Sequence, residues 1–300
     1  MLFEEIAHNK RNTFLLVIIF FLLLIEVGAA MGFLLFKNFF YGVGASMLIS
    51  IVYILIMIYQ GSAVVMWMNG GKEITDREQA PVLFETVEDM ANVAGVPVPR
   101  IFIIDDVSPN AFATGTSPEQ AAVAVTRGLL ESLERYELEG VIAHEMAHVR
   151  NYDIRLATIA VALVSAITLM SSLGKQSLFL GGGKNRKSSG SKGGGGSMVL
   201  YIAAIVFLLL APIVATIVRL TLSRNREFLA DATAVELTRN PQGLIAALEK
   251  ISGRAEMIER VDNASQSLWF TSPLKADRGK TGLFATHPSI EARIARLQAM

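Results

Sequence analysis

Four blocks of this chain are almost purely apolar, and they divide it. Phe14 to Phe36 is interrupted by one charge, Glu26, and Lys37-Asn38 turns the chain into a charge-free run from Phe39 to Met68. Leu156–Leu173 and Met198–Val218 repeat the pattern in the second half, the last block carrying Pro212. About 20 apolar helical residues cross the roughly 30 Å of bilayer hydrocarbon. The pattern therefore predicts an N-terminal transmembrane hairpin over 1–68, with helices at about 14–36 and 39–68. It predicts a second membrane hairpin over 156–218, with helices at about 156–173 and 198–218. The loop between the last two, 174–197, is rich in Gly and Lys over 181–197, has nothing to bury, and reads as flexible. Glu26 is costly in lipid. It reads equally as a functional group or as a carboxyl near the interface or against a neighbouring helix.

The polar stretches alternate differently. Residues 75–95 carry Pro81, Leu83, Phe84, Val87, Met90, Ala91 and Ala94 with acids between them, which predicts an amphipathic helix stopped at Gly95. Arg100–Ile104 reads as a buried strand, with two further short strands at Asn110–Gly115 and Ala121–Thr126 around a Ser117-Pro118 turn. A helix beginning at Gly128 leads into another whose Leu138, Ile142, Met146 and Val149 recur at helical spacing. Beyond the membrane blocks, a helix starts at Ser223 and breaks at Asn240-Pro241. Gly243–Ile251 forms the next, 262–282 is loop-like, and Ile290, Ile294 and Leu297 mark a closing amphipathic helix. Two crossings, or two shallow insertions, return the chain to the side it left. Segments 69–155 and 219–300 can thus fold together as one domain of ordinary size.

Composition narrows the chemistry. The 300 residues include no cysteine and carry no net charge, which excludes disulfides and thiolate metal sites and gives no support for nucleic-acid binding. Any metal must be held by His, Asp or Glu. There are four histidines, and two of them, His144 and His148, flank Glu145 in the order His-Glu-x-x-His on the Leu138–Val149 helix. Residues four apart share a helix face, about 6 Å apart along the axis, so two imidazoles can reach one ion while the adjacent Glu145 touches a water beside it. The plainer reading is a helix with two surface or core-satisfied histidines. His8 reads as a surface histidine.

A hydrolytic metal site needs a third protein ligand. The candidates on the far polar segment are its carboxylates and His287. Glu227 opens a helix directly after the fourth apolar block, as His148 lies just before the third, so the two membrane helices would leave the metal site as a pair. Asp231, four residues on, shares its face and could accept a hydrogen bond from the distal nitrogen of a ligating histidine. The plainer reading makes Glu227 a surface acid paired with Arg224 or Arg226, and Asp231 an exposed one.

His144-Glu-Met-Ala-His148, Ser223-Arg-Asn-Arg-Glu227-Phe-Leu-Ala-Asp231 and Thr286-His287-Pro288 together resemble the HtpX membrane zinc endopeptidases, relatives of the CAAX-type prenyl-protein proteases. The resemblance runs over essentially the whole chain, with the Gly/Lys-rich loop as a departure. It implies a multi-pass α-helical membrane protein with a mainly α, zincin-like metalloprotease domain carrying a small β-sheet. It implies one zinc ion per subunit held by His144, His148 and Glu227, with Glu145 as general base. The expected substrates are misfolded or damaged membrane proteins and unfolded chains, cleaved in a stress response at the cytoplasmic face of the cell membrane. By the same resemblance, Asn110 belongs to an active-site edge strand and His287 approaches substrate or transition state. The competing class is a non-proteolytic membrane protein using the histidine pair to sense or transport metal. Lys10, Arg11, Lys72 and Arg77 favour the cytoplasm for the ends of the first hairpin, whereas Lys175, Lys184, Arg186, Lys187 and Lys192 put unopposed positive charge in the loop a two-span reading places outside.

Overall fold

The computed structural model describes residues 2–181, 224–252, 265, 268–271 and 288–300. Helices α1 (Leu2–Phe36) and α2 (Phe39–Met68) form an antiparallel pair. Their turn puts Lys37 at a φ of +56°, and the Asn38 side chain caps α2 by accepting the Phe40 N–H at 3.0 Å. Gly28 and Gly32 of α1 meet Gly42 of α2 so closely that a Cβ on any of them would strike the opposite helix. Small residues permit this backbone approach in membrane helix pairs. Asn9–Ala29 and Phe39–Met68 are long and apolar enough to cross a membrane. The second exposes Leu48, Ile49, Tyr59 and Trp67, a surface that water disfavours at about 25 cal/mol per Å² and hydrocarbon accepts. Glu26 is exposed on α1.

A four-stranded sheet follows: β1 (Gly71–Glu73), β2 (Arg100–Ile104), β3 (Ala111–Thr114) and β4 (Ala122–Thr126), in the order β1-β2-β4-β3. The β2–β4 pair is parallel and the outer pairs are antiparallel. Because side chains alternate across a sheet, β2, β3 and β4 each serve two cores. Ile101, Ala111, Ala113, Val123 and Val125 pack on helices α3 (Pro81–Ala94) and α5 (Arg135–Arg150). Phe102, Ile104, Phe112, Ala122 and Ala124 pack on Val65 and Met66 of α2, Val161 of α6 (Asp153–Gly181), and Trp269. The sheet thus lies between the domain's helices and the ends of the long apolar ones. Short helix α4 (Arg127–Ser132) joins β4 to α5. Helices α7 (Arg224–Thr238) and α8 (Pro241–Ser252) pack along α5, and α9 (Ile290–Leu297) closes over α7 and α8.

Several boundaries differ from expectation. Helix α3 begins at Pro81, not 75. Proline suits the first helical position, and the residues before it form a 3₁₀ turn at Arg77–Gln79 capped by Asp76. Strand β1 had no apolar signature. It is held by backbone pairing to β2 and by Arg100, whose Nε and Nη2 donate to Glu73 at 2.7 and 2.5 Å. Helix α6 continues past Leu173 to Gly181, so the expected loop at 174–197 starts too early. Lys175 and Gln176 are good helix formers, and the helix runs on through them. The remainder of that loop and the 198–218 block lie outside the described residues.

Candidate functional site

Helix α5 carries the His-Glu-x-x-His residues, and its position is fixed at both ends. At its start the buried Glu137 accepts the Glu134 backbone N–H at 2.7 Å and the Lys250 ammonium of α8 at 2.7 Å. One turn on, Gly140 lets α8 approach: a Cβ there would lie 2.6 Å from the Leu244 nitrogen. Val141, Ile142, Met146 and Val149 are fully buried in the core shared with α3 and the sheet. At its end the chain turns sharply through Asn151 and Tyr152, the latter at a φ of +61°, and starts α6 at Asp153.

His144 and His148 turn their Nε2 atoms toward one another at 3.2 Å. Glu227, from the first turn of α7, places Oε2 3.8 Å from His144 Nε2 and Oε1 3.7 Å from His148 Nε2. One donor atom from each of the three residues lies within 4.8 Å of the others. A tetrahedral ion with bonds of about 2.0–2.1 Å separates its ligands by roughly 3.4 Å, so the cluster is close to the size zinc requires. Both Nδ1 atoms point away from it, each to a carboxylate. His144 Nδ1 is 3.0 Å from Asp231 Oδ1, and His148 Nδ1 is 2.9 Å from Asp153 Oδ2. In a neutral ring that donates through Nδ1–H, the Nε2 lone pair is turned inward, the tautomer that metal ligation needs. The donor set of two imidazoles and a carboxylate is also one that zinc favours.

Glu145 lies on the same wall, 2% exposed, and its Oε1 has no hydrogen-bond partner among the described residues. The group lines a cavity of about 40 Å³ with His144, His148, Glu227, Ala113 and Phe270. That volume suits an ion and a water. Burial pushes the Glu145 carboxyl up to about 7; the positive His148 opposes the rise and Glu227 adds to it. Burial and then the Arg293 charge lower His144 to about 4, against Asp231. Burial opposes the charged form of His148 too, but the Asp153 hydrogen bond and the Glu227 charge outweigh it and raise His148 to about 9. The two imidazoles of one motif are thus biased in opposite directions.

The residues singled out in the sequence do not all sit together. His144, Glu145, His148, Glu227 and Asp231 converge. Asn110 is fully buried, and its amide is engaged by the backbone of Thr271, donating at 2.9 Å and accepting at 3.1 Å. It anchors segment 268–271 instead of facing the cavity. Strand β3 is a sheet edge, as the family resemblance implied, but Phe270 N–H already donates to Ala111 C=O at 2.8 Å. His287 lies outside the described residues. Sequence reasoning missed Arg293 and Asp153. Arg293 falls on the apolar stripe of α9, between Ile290 and Leu297, and a charge on such a stripe was a readable sign of a buried partner. Asp153 follows a break in the helix, so no periodicity connects it to His148.

Residues 77–300 match the model of peptidase family M48. A protease HtpX homolog of Listeria monocytogenes is 57% identical over 304 aligned residues, and one of Listeria innocua 58%, each alignment covering all of both chains. A protease HtpX homolog of Streptococcus pyogenes is 52% identical over 300, again with full coverage. Among solved structures, the crystal structure of S. mikatae Ste24p aligns at 20% identity with a TM-score of 0.49, covering 91% of this chain and 61% of that one. A family match over most of the chain, and end-to-end relatives that share more than half its residues, establish that this membrane metalloprotease belongs to peptidase family M48.

Proposed function

We propose that the chain is a multi-pass, zinc-dependent endopeptidase. It cleaves membrane proteins and unfolded polypeptides at the cytoplasmic surface of the cell membrane, as part of protein quality control. The observation that carries this reading is the convergence of His144, His148 and Glu227 around a cavity into which a buried Glu145 presents an unpartnered oxygen. The catalytic domain, of zincin-like type, comprises 69–155 and 219–300.

His144, His148 and Glu227 would hold one zinc ion, which when bound supplies Lewis acidity to the scissile carbonyl and draws the pKa of a water toward 7. Asp231 and Asp153 fix the two imidazole rings through Nδ1. Glu145 accepts the proton of the attacking water at its free Oε1 and returns it to the leaving amine. A carboxyl raised toward 7 by burial can do both, because neither protonation state is strongly disfavoured at neutral pH. Ala113 lies beside Glu145 on the outer edge of β3, where the main chain of an extended peptide can pair with it. Segment 268–271 lies against the same edge, with Phe270 N–H on Ala111 C=O, so a substrate strand pairing at Ala111 displaces it. Main-chain pairing gives weak sequence preference, which suits a quality-control enzyme.

Both ends of the first hairpin reach the domain: Asn9 bonds to Asp153 and Asn69 to Ser265. With Lys10, Arg11, Lys72 and Arg77 at those ends and Lys37 alone at the far turn, the positive-inside rule favours a cytoplasmic site. A metal-sensing or transport role explains the histidine pair but leaves Glu145 and membership of a peptidase family without a purpose.

The test uses the purified full chain with casein and with an unfolded membrane protein. Cleavage is expected with zinc, lost with a chelator and restored by zinc. Glu145→Gln is expected to retain one zinc and lose about 10²–10⁴ in rate. Cleavage by the chelated protein defeats the metal reading, and wild-type rates in Glu145→Gln defeat the assignment of the base.

A further inference from the structure

The hydrogen-bond chain from the histidine pair does not stop at Asp153. Its second oxygen, Oδ1, accepts Asn9 Nδ2 at 2.6 Å, while Oδ2 is the atom bonded to His148 Nδ1. Asn9 is 1% exposed and belongs to α1, 144 positions away in sequence, at the first residue of the apolar span. The same Nδ2 also reaches the Asn151 carbonyl at 3.4 Å, and the Asn9 carbonyl is itself bonded by Thr13 Oγ1 at 2.8 Å. The next residue, Lys10, sets its ammonium 4.5 Å from the centre of the Tyr152 ring. The first turns of α1 therefore grip the α5–α6 turn at Asn151, Tyr152 and Asp153, which carries the carboxylate behind His148.

We infer that Asn9 is a positioning residue for the metal site: through Asp153 it sets the ring orientation and tautomer of His148, making the N-terminal membrane helix a working part of the metal centre. Asp153 has two oxygens and can rotate. With Oδ1 held by an amide donor that carries no charge, Oδ2 faces Nδ1 in one orientation, and His148 Nε2 stays directed at Glu227 and His144. Asn9 is matched to this task because it supplies a donor without a positive charge that would compete with His148 for the carboxylate. Outer partners of this kind affect metal affinity by about 10–100-fold. The inference rests on the reading of His148 as a ligand.

The test is metal binding by the full chain in detergent, stripped with a chelator and titrated with cobalt(II) or zinc(II) alone. The cobalt visible spectrum reports ligand geometry, and competition with a chelator gives the zinc affinity. Asn9→Ala is expected to weaken zinc binding about tenfold and to change the cobalt spectrum. Lys10→Ala, which loosens the same grip without touching Asp153, is expected to bind as wild type. In an Asp153→Asn background, Asn9→Ala is expected to add no further loss. Wild-type affinity in Asn9→Ala overturns the inference. So does an equal loss in Lys10→Ala, which would mean that docking of α1 alone matters, and so do additive losses in the double variant. His148→Ala separates the two levels of argument. If it keeps full affinity, the reading of the site fails; if it loses metal while Asn9→Ala does not, only the role of Asn9 fails.

Discussion

Arg293 of α9 lies fork to fork against Asp231 of α7, with Nη2 2.6 Å from Oδ1 and Nε 2.9 Å from Oδ2, both side chains 2% exposed or less. Asp231 Oδ1 is also 3.0 Å from His144 Nδ1, and Arg293 Nη1 donates to the Phe270 carbonyl at 3.1 Å. Burial alone would raise the Asp231 carboxyl, but the Arg293 charge and the His144 contact bring it down to about 2. The carboxylate behind His144 thus remains ionised because α9 delivers a guanidinium to it. Removing one member of a buried pair leaves the other unpaired, at a cost of about 3–5 kcal/mol. Arg293→Met is expected to lose that much in denaturant unfolding and to weaken zinc binding. Adding Asp231→Leu should recover much of the stability and none of the zinc affinity, since the oriented His144 is then lost. Recovery of both would show that Asp231 has no part in the site.

Metal content distinguishes the ligands from their supports. Glu227→Ala removes a donor atom, so the full chain is expected to bind less than one zinc per subunit under conditions that saturate wild type. Asp231→Asn keeps a hydrogen-bond acceptor beside His144, and its affinity is expected to fall by about 10–100-fold with stoichiometry unchanged at high zinc. Elemental analysis after dialysis against graded chelator separates these outcomes. Full stoichiometry in Glu227→Ala would assign the third position elsewhere.

Gly140 sets two small effects against each other. On an isolated helix Gly→Ala gains about 0.8–1.0 kcal/mol. Here the new methyl would lie 2.6 Å from Leu244 N and 2.9 Å from Gly243 C, and this is backbone that cannot rotate aside. Overpacking of that kind costs about 1–3 kcal/mol, so overlap wins. Gly140→Ala is expected to lower the unfolding midpoint and, by moving α5, to weaken metal binding. A stabilised variant would mean that propensity dominates and that α5 and α8 have room between them.

The parts of this protein that could be read in advance are those with a period or a fixed spacing. The apolar run at 39–68 and the three-four recurrence of Leu138, Ile142, Met146 and Val149 each answer to one local rule, and both reappear as helices. Strand Arg100–Ile104 was legible because it is buried on both faces, one against α3 and α5 and the other against α2 and α6. Strand β1 was not, because Gly71-Lys-Glu73 has no apolar residue and exists by pairing with β2. At the site, the grouping of His144, His148 and Glu227 followed from a motif and a topological argument. The Asn9–Asp153 bond did not, because neither residue type nor spacing links a polar residue at the mouth of one helix to the first residue of another 144 positions on.

Strand β1 also offers a test by pH. The Arg100 hydrogen bond lowers the Glu73 carboxyl below its ordinary 4.5, with a smaller contribution from the Arg100 charge. For an acid lowered in the folded state, the pairing is fully present above the unfolded pKa of about 4.3 and is lost as pH falls through the lower folded value. Both side chains are about a third to a half exposed, at 35% and 47%, so solvent screening keeps the pair within about 1 kcal/mol. Glu73→Gln is therefore expected to cost up to that amount at pH 7 in low salt, less in high salt, and nothing once pH has dropped below the folded pKa of Glu73. Amide exchange at Ile103, opposite Lys72, and at Ile74, whose N–H donates to Ile101 C=O, should quicken in the variant at pH 7 alone. A deficit that persists at low pH would mean that Glu73 supports β1 by packing and not by its charge.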